Sequence, residues 1–301
     1  MTIKILKTTI MLHTIENDFL ICKIESKGAE IRSLENKQTG EEFIWSIDES
    51  IWGSSSPVLF PSIGNIKGNK HVFEGKEFPM TKHGIIRNNE HLEFNQIDPK
   101  TCTFTLKYSK ETLRLYPFKF SFTVEFSLKK KRLEMKYILE NQDSKELFFS
   151  CGGHTAYACP LGENLQLSDY VVEFPQENHL QSKKLGETGL LSTAEKEISI
   201  QKGVLALSET LFNEDALIFS NIEFDFVRLR KKNAKKGIIV RFPNYPNLAL
   251  WSKPGADFLC IEPWLGLPDS ENEALDISQK STYKSLAIGD KFEISILTEI
   301  E

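Results

Sequence analysis

The chain has 301 residues, 40% of them hydrophobic and 26% charged, which reads as an ordinary soluble globular protein well outside the disordered range. Its formal net charge of −5 gives no electrostatic reason to expect nucleic acid as a partner. No apolar stretch reaches the length of a membrane span, so no membrane partner is expected. The N-terminal run Met1–Lys7 lacks a continuous signal-peptide core and a small-residue cleavage site, and the expected location is cytoplasmic. Five cysteines (Cys22, Cys102, Cys151, Cys159 and Cys260) form no Cys-x-x-Cys pair. An odd count without that spacing argues against a disulfide scaffold and a zinc knuckle, leaving free buried thiols.

Taken in chain order, the first strand candidates are Phe19–Ile24 and Cys102–Tyr108. From Phe118 to Leu128 the apolar residues fall on every even position, the signature of a strand with one buried and one wet face. Leu133–Leu139 continues the alternation after the basic turn Lys129-Lys130-Lys131-Arg132, so the two runs predict a hairpin with a solvated tip. Helical periodicity is scarce, and only Thr193–Glu197 and Ser208–Phe212 read as helical turns. Phe224–Leu229, Ile238–Arg241, Leu248–Trp251, Phe258–Ile261 and Phe292–Leu297 complete the strand candidates. Many short strands with turn signals and few short helices predict an all-β fold, a large antiparallel β-sandwich. No linker, low-complexity stretch or fixed-period repeat divides the chain, so residues 1–301 are read as one domain.

Four segments carry residue types suited to chemistry. Ser56–Asn69 is a loop dense in Pro, Gly and Asn, where polar groups can converge on a hydroxylated ligand. It is followed by Lys82-His83-Gly84-Ile85-Ile86-Arg87-Asn88, with an imidazole beside a flexible backbone. His154 follows two glycines in Ser150–Tyr157, where an extended segment is expected to break and bend or admit a ligand. Histidine exchanges protons near neutral pH, yet a structural reading of a lone histidine stands beside the chemical one. Asp215 opens an apolar strand, placed either to cap a turn or to bind a hydroxyl. In Asp257–Trp264, period two puts Phe258, Cys260, Glu262 and Trp264 on one face. A carboxylate sharing a face with aromatic side chains is partly desolvated, which raises its pKa and makes it a better base. The open alternative is an edge-strand glutamate with its charge in water.

Together these segments resemble the aldose 1-epimerase (galactose mutarotase-like) family, in its LacX-like branch of bacterial proteins. The resemblance covers nearly the whole chain. It runs from Gly28-Ala29-Glu30-Ile31-Arg32-Ser33-Leu34 and Glu42-Phe43-Ile44-Trp45 through the Pro57–Gly64 loop and His83-Gly84. It continues with Gly153-His154-Thr155-Ala156-Tyr157, Leu250–Ala256 and Cys260-Ile261-Glu262-Pro263-Trp264. The resemblance implies a wide β-sandwich of the galactose mutarotase type with an open sugar site on one sheet. It implies Glu262 as general base and His154 as general acid, with His83 and Asp215 bonding sugar hydroxyls.

Trp251 and Trp264 would supply an aromatic floor to that site. Asn65 stands where many members carry an arginine, and Arg87 or Lys67 are the cations at hand to replace it. The implied activity is interconversion of hexose anomers by an isomerase that needs no cofactor and no metal. Neither a glycine-rich phosphate loop nor metal-ligand spacing is present in the sequence. The alternatives are a sugar-phosphate epimerase, with Lys67, Lys82 or Arg87 on the phosphate, and a non-catalytic carbohydrate-binding protein. A paired-carboxylate hydrolase or a lyase is a third, with Asp215 as the second acid of the hydrolase. The expected partner is a small-molecule sugar, a hexose or hexose phosphate; a homodimer is allowed, and oligomeric state is otherwise open.

Overall fold

The computed structural model describes residues 11–162, 164–175 and 179–301. The N-terminal stretch Met1–Lys7 lies outside them. Two large antiparallel sheets dominate, one of nine strands and one of eight. The nine-stranded sheet is centred on Lys291–Ile300, Arg132–Asn141 and Phe120–Lys129. The expected hairpin is present: Leu128 pairs with Leu133 and Val124 with Tyr137 across a two-residue turn at Lys130-Lys131. Phe120, Phe122, Val124, Phe126 and Leu128 are buried, as are Leu133, Met135, Tyr137 and Leu139. The even-numbered face of the first strand and the odd-numbered face of the second therefore form one apolar wall.

The eight-stranded sheet runs from the edge strand Leu191–Ser199 through His179–Leu185, Leu217–Ser220 and Asn247–Trp251 to Phe258–Trp264. Beyond Phe258–Trp264 lie the short strands Gly152–Gly153 and Val58–Leu59, with Thr155–Ala158 also pairing to it. Leu248, Leu250, Leu259 and Ile261 point into the main core, where they join the aromatic wall of the other sheet. Two hydroxyls tie the layers through that core: Tyr137 donates to the Gly152 carbonyl at 3.1 Å, and Tyr157 pairs with Thr298 Oγ1 at 2.7 Å. The opposite face of the eight-stranded sheet carries Phe258, Cys260 and Ala249 in smaller clusters and holds Glu262 and Trp264.

The strand candidates match observed strands with ends shifted by a few residues, and all five cysteines are free and buried. Ser208–Phe212 forms hydrogen-bonded turns (Leu211 N–H to Ser208 O, 3.1 Å), as expected. Thr193–Glu197 corrects the reading of a helical turn, because it lies inside the strand Leu191–Ser199. Pairing with His179–Leu185, reinforced by a 3.0 Å ion pair from Lys183 to Glu195, overrides the helical preference of Ala, Glu and Lys. Among the described residues, no helix is long and apolar enough to cross a membrane.

Candidate active site

The Gly152-Gly153 step is not a break in the chain. Both glycines lie in extended backbone and pair across to Trp264, Leu59 and Val58. What glycine supplies here is closeness. A Cβ at Gly152 would lie 2.7 Å from the Pro263 carbonyl, and one at Gly153 would lie 2.8 Å from Ile296 Cδ1. The ladder pairs Gly152 with Trp264 and Thr155 with Ile261 in one register, and that register sets His154 opposite Glu262. Their side chains meet with His154 Nε2 3.3 Å from Glu262 Oε2. On the other flank of Glu262 the facing residue is Ala249, small enough to leave room above the sheet.

The segment before the first glycine-paired strand holds His154 from behind. The buried Glu30 carboxylate accepts the backbone N–H groups of Ser55 and Ser56 and pairs with Arg32. This fixes the loop whose Pro57 carbonyl accepts the His154 N–H at 3.1 Å, while Ser56 Oγ meets Thr155 Oγ1 at 2.8 Å. Trp52 and Trp251 enclose the imidazole with ring centroids at 5.1 and 5.8 Å, and His83 approaches at 5.5 Å.

Burial governs the electrostatics of this group. It drives the His154 imidazole down to about 3, with nearby Arg87 acting in the same direction. It drives the Glu262 carboxyl well above the usual carboxylate range, reinforced by Asp215 and opposed by Lys82. Burial thus disfavours the charged form of each of these two side chains, which lie 3.3 Å apart. His83 is also pushed well down by burial. Its Nδ1 accepts the Gly64 N–H at 3.1 Å, so its ring proton sits on Nε2, away from that bond.

A pocket of about 660 Å³ opens over the pair, within the range of small-molecule sites. It brings together Asn65, His83, Arg87, His154, Asp215, Trp251, Glu262 and Trp264 from six separate stretches of chain. Asp215 holds a positive φ of 79°, and its carboxylate accepts the Ala216 N–H at 2.8 Å while the residue lines the pocket. Lys67 is the exception and a correction. It is not on the pocket wall, because the turn at Lys67–Asn69 carries it away and its Nζ bonds the Glu273 carbonyl at 3.1 Å.

Other lining residues were not singled out from the sequence as site residues. Among them are Trp52, Leu185, Gly186, Glu187, Gly189 and Asn213-Glu214, while Lys82, read above as a candidate phosphate contact, lines the pocket as well. A tryptophan beside Gly53 and ahead of a run of serines was the one local signal for Trp52.

The wall is polar and unsatisfied. His154 Nδ1 and Arg87 Nε are buried without a hydrogen-bond partner, Glu262 Oε2 has only His154 Nε2 at 3.3 Å, and all three residues line this one pocket beside Trp264. Orphaned buried groups are costly, so their convergence marks a place for a hydrogen-bonding ligand. In space, His154, Cys260 and Glu262 also offer ligand atoms within 4.8 Å of one another, residue types that zinc accepts. Two of those three side chains are His154 and Glu262, which already face each other at 3.3 Å.

Comparison with known proteins adds a consistent picture. The family model described as Aldose 1-epimerase matches residues 11–275. Protein LacX (plasmid) from Lactococcus lactis subsp. lactis is 29% identical over 280 residues, covering 90% of this chain and 93% of that one. A galactose mutarotase related enzyme from Lactobacillus acidophilus superimposes with a TM-score of 0.90 at 30% identity, over 97% of both chains. A galactose mutarotase-like protein from Lactobacillus casei ATCC 334 gives 0.88 at 28% identity, over 97% of this chain and 100% of the other.

Proposed function

The chain belongs to the aldose 1-epimerase family, and from that premise we propose that Glu262 and His154 interconvert the α and β anomers of a hexose. The observation that carries the reading is the set of orphaned buried groups around the pair, which a polyhydroxyl ligand would satisfy. In the ring-opening step Glu262, as carboxylate, takes the proton from the anomeric hydroxyl O1. His154, as imidazolium, delivers its proton to the ring oxygen O5. The C1–O5 bond breaks with its electron pair going to O5, and C1–O1 becomes the aldehyde carbonyl. Rotation about C1–C2 and the reverse transfers close the ring on the other face.

Ring opening takes the pair from its ionic to its uncharged form. Burial disfavours the charged form of each group, so forming the ionic pair costs energy that the ring-opening transfers return. Ring closure restores the ionic pair by the same transfers in reverse, so the cycle leaves both groups as they began. His83, with its proton on Nε2, acts as a donor to a sugar hydroxyl, and Asp215 as an acceptor. Each acid or base contributes about 10²–10⁴-fold. The test is polarimetry of fresh α-D-glucose and α-D-galactose. Glu262→Gln is expected to lose about 10²-fold or more of the rate; a wild-type rate in that variant removes Glu262 from its role, and an inactive parent removes the simple-hexose substrate.

A second reading has its own support. Arg87 carries a buried Nε without a partner, and Lys82 lines the same pocket, so two cations face the ligand space. They suit the phosphate of a hexose phosphate. Running glucose 6-phosphate and galactose 6-phosphate beside the free hexoses separates the two: a kcat/KM higher for the esters favours the phosphorylated substrate.

A further inference from the structure

Asn65 spends its side-chain amide on the protein: Nδ2 donates to the Thr188 carbonyl at 2.9 Å. The segment it grips is a tight turn in which the Gly186 N–H donates to Leu190 O at 2.8 Å and the Gly189 N–H to Gly186 O at 2.9 Å. Gly189 holds φ at +71°, and a Cβ there would lie 2.3 Å from Asn65 Nδ2. The fit between the turn and Asn65 thus depends on the absence of a side chain. This turn joins His179–Leu185 to the edge strand Leu191–Ser199 and contributes Leu185, Gly186, Glu187 and Gly189 to the pocket wall.

Asn65 is itself anchored. Its carbonyl accepts the Asp269 N–H at 3.1 Å, Asp269 Oδ2 accepts the Lys67 N–H at 2.9 Å, and the Asp269 carboxylate is paired with the buried Lys280. The Asp269 carbonyl also accepts the Leu191 N–H at 2.8 Å, at the far end of the turn. A rigid buried ion pair therefore supports a residue whose side chain reaches up to an edge hairpin, the kind of element that opens locally at low cost unless tied down.

We propose that Asn65 is a positioning residue, a latch that holds the Gly186–Leu190 turn and its Glu187 against the pocket rather than a direct contact to the ligand. The ligand half of this proposal rests on the sugar-site reading above. The test combines hydrogen exchange at amides 186–191 with hexose dissociation constants, read from the fluorescence of the pocket tryptophans with D-galactose and D-glucose. Asn65→Ala is expected to speed exchange in the turn about tenfold, the equivalent of one lost hydrogen bond. Hexose Kd is expected to rise about fivefold through the loosened wall.

Asn65→Asp keeps the size but replaces the donor with an acceptor, and the same result is expected from it. Gly189→Ala also loosens the turn, and less so in the Asn65→Ala background, where the clashing amide is gone. A raised Kd with unchanged exchange makes Asn65 a direct sugar contact and overturns the latch. Faster exchange with unchanged Kd removes the turn from the site, and no change in either overturns both halves. A parent protein that binds neither hexose sinks the simple-hexose reading, and the exchange arm alone then decides the latch.

Discussion

If Glu262 and His154, 3.3 Å apart, work as the proposed pair, their titration sets the pH dependence expected of the protein. The His154 imidazole is held down to about 3 and the Glu262 carboxyl well above its usual range, so the pair keeps a single proton between those limits. Only that singly protonated form contains both an acid and a base. Below about 3 the pair is doubly protonated and has no base; above the raised Glu262 value it has no acid. The kcat/KM profile is therefore expected to stay flat through the ordinary histidine range near pH 6.5 and to fall on the alkaline side. A profile that drops through pH 6.5 with falling pH would show an imidazole titrating freely and contradict the coupled pair.

At the scale of elements, the site depends on how closely Gly152–Gly153 lies against Phe258–Trp264. A Cβ at Gly152 would meet the Pro263 carbonyl at 2.7 Å and Trp264 Cδ1 at 2.9 Å, and a backbone carbonyl cannot rotate out of the way. Gly152→Ala is expected to destabilise the protein by about 1–3 kcal/mol, the usual range for overpacking. Because the register places His154 opposite Glu262, it is also expected to reduce activity more than binding. Urea denaturation and kcat measured on one preparation check both parts. The period-two pattern of Phe258–Trp264 was legible in the sequence, and so was the shared face of Glu262 and Trp264. The pairing partner was not, since register is set by contacts between strands far apart in the chain.

For the whole molecule, acid stability follows from imidazoles buried without charge. His71 is pushed down to about 3 and His83 well below its usual value, both by burial. A depressed folded-state pKa contributes stability that is complete above the unfolded value near 6.5 and is lost as pH falls toward the folded one. His71 contributes about 1.4 kcal/mol per pH unit below the unfolded value, and His83 acts in the same direction. The urea midpoint is expected to fall between pH 7 and pH 5; an unchanged midpoint would mean that the two rings are not held neutral.

The all-β class, the long central hairpin, the free cysteines and the acid/base candidates Glu262 and His154 were all determined by the sequence alone. Alternation, turn chemistry and motif order are local properties that survive without coordinates. Tertiary structure decided which of these residues meet. Lys67 lies two residues from Asn65 in the chain, yet a turn takes it to Glu273 and off the pocket. Trp52, more than a hundred residues before His154, packs over its ring. Thr193–Glu197 is a strand because His179–Leu185 offers it a ladder. Such outcomes are set by long-range pairing and burial, which act between segments and leave no periodic trace within any one of them.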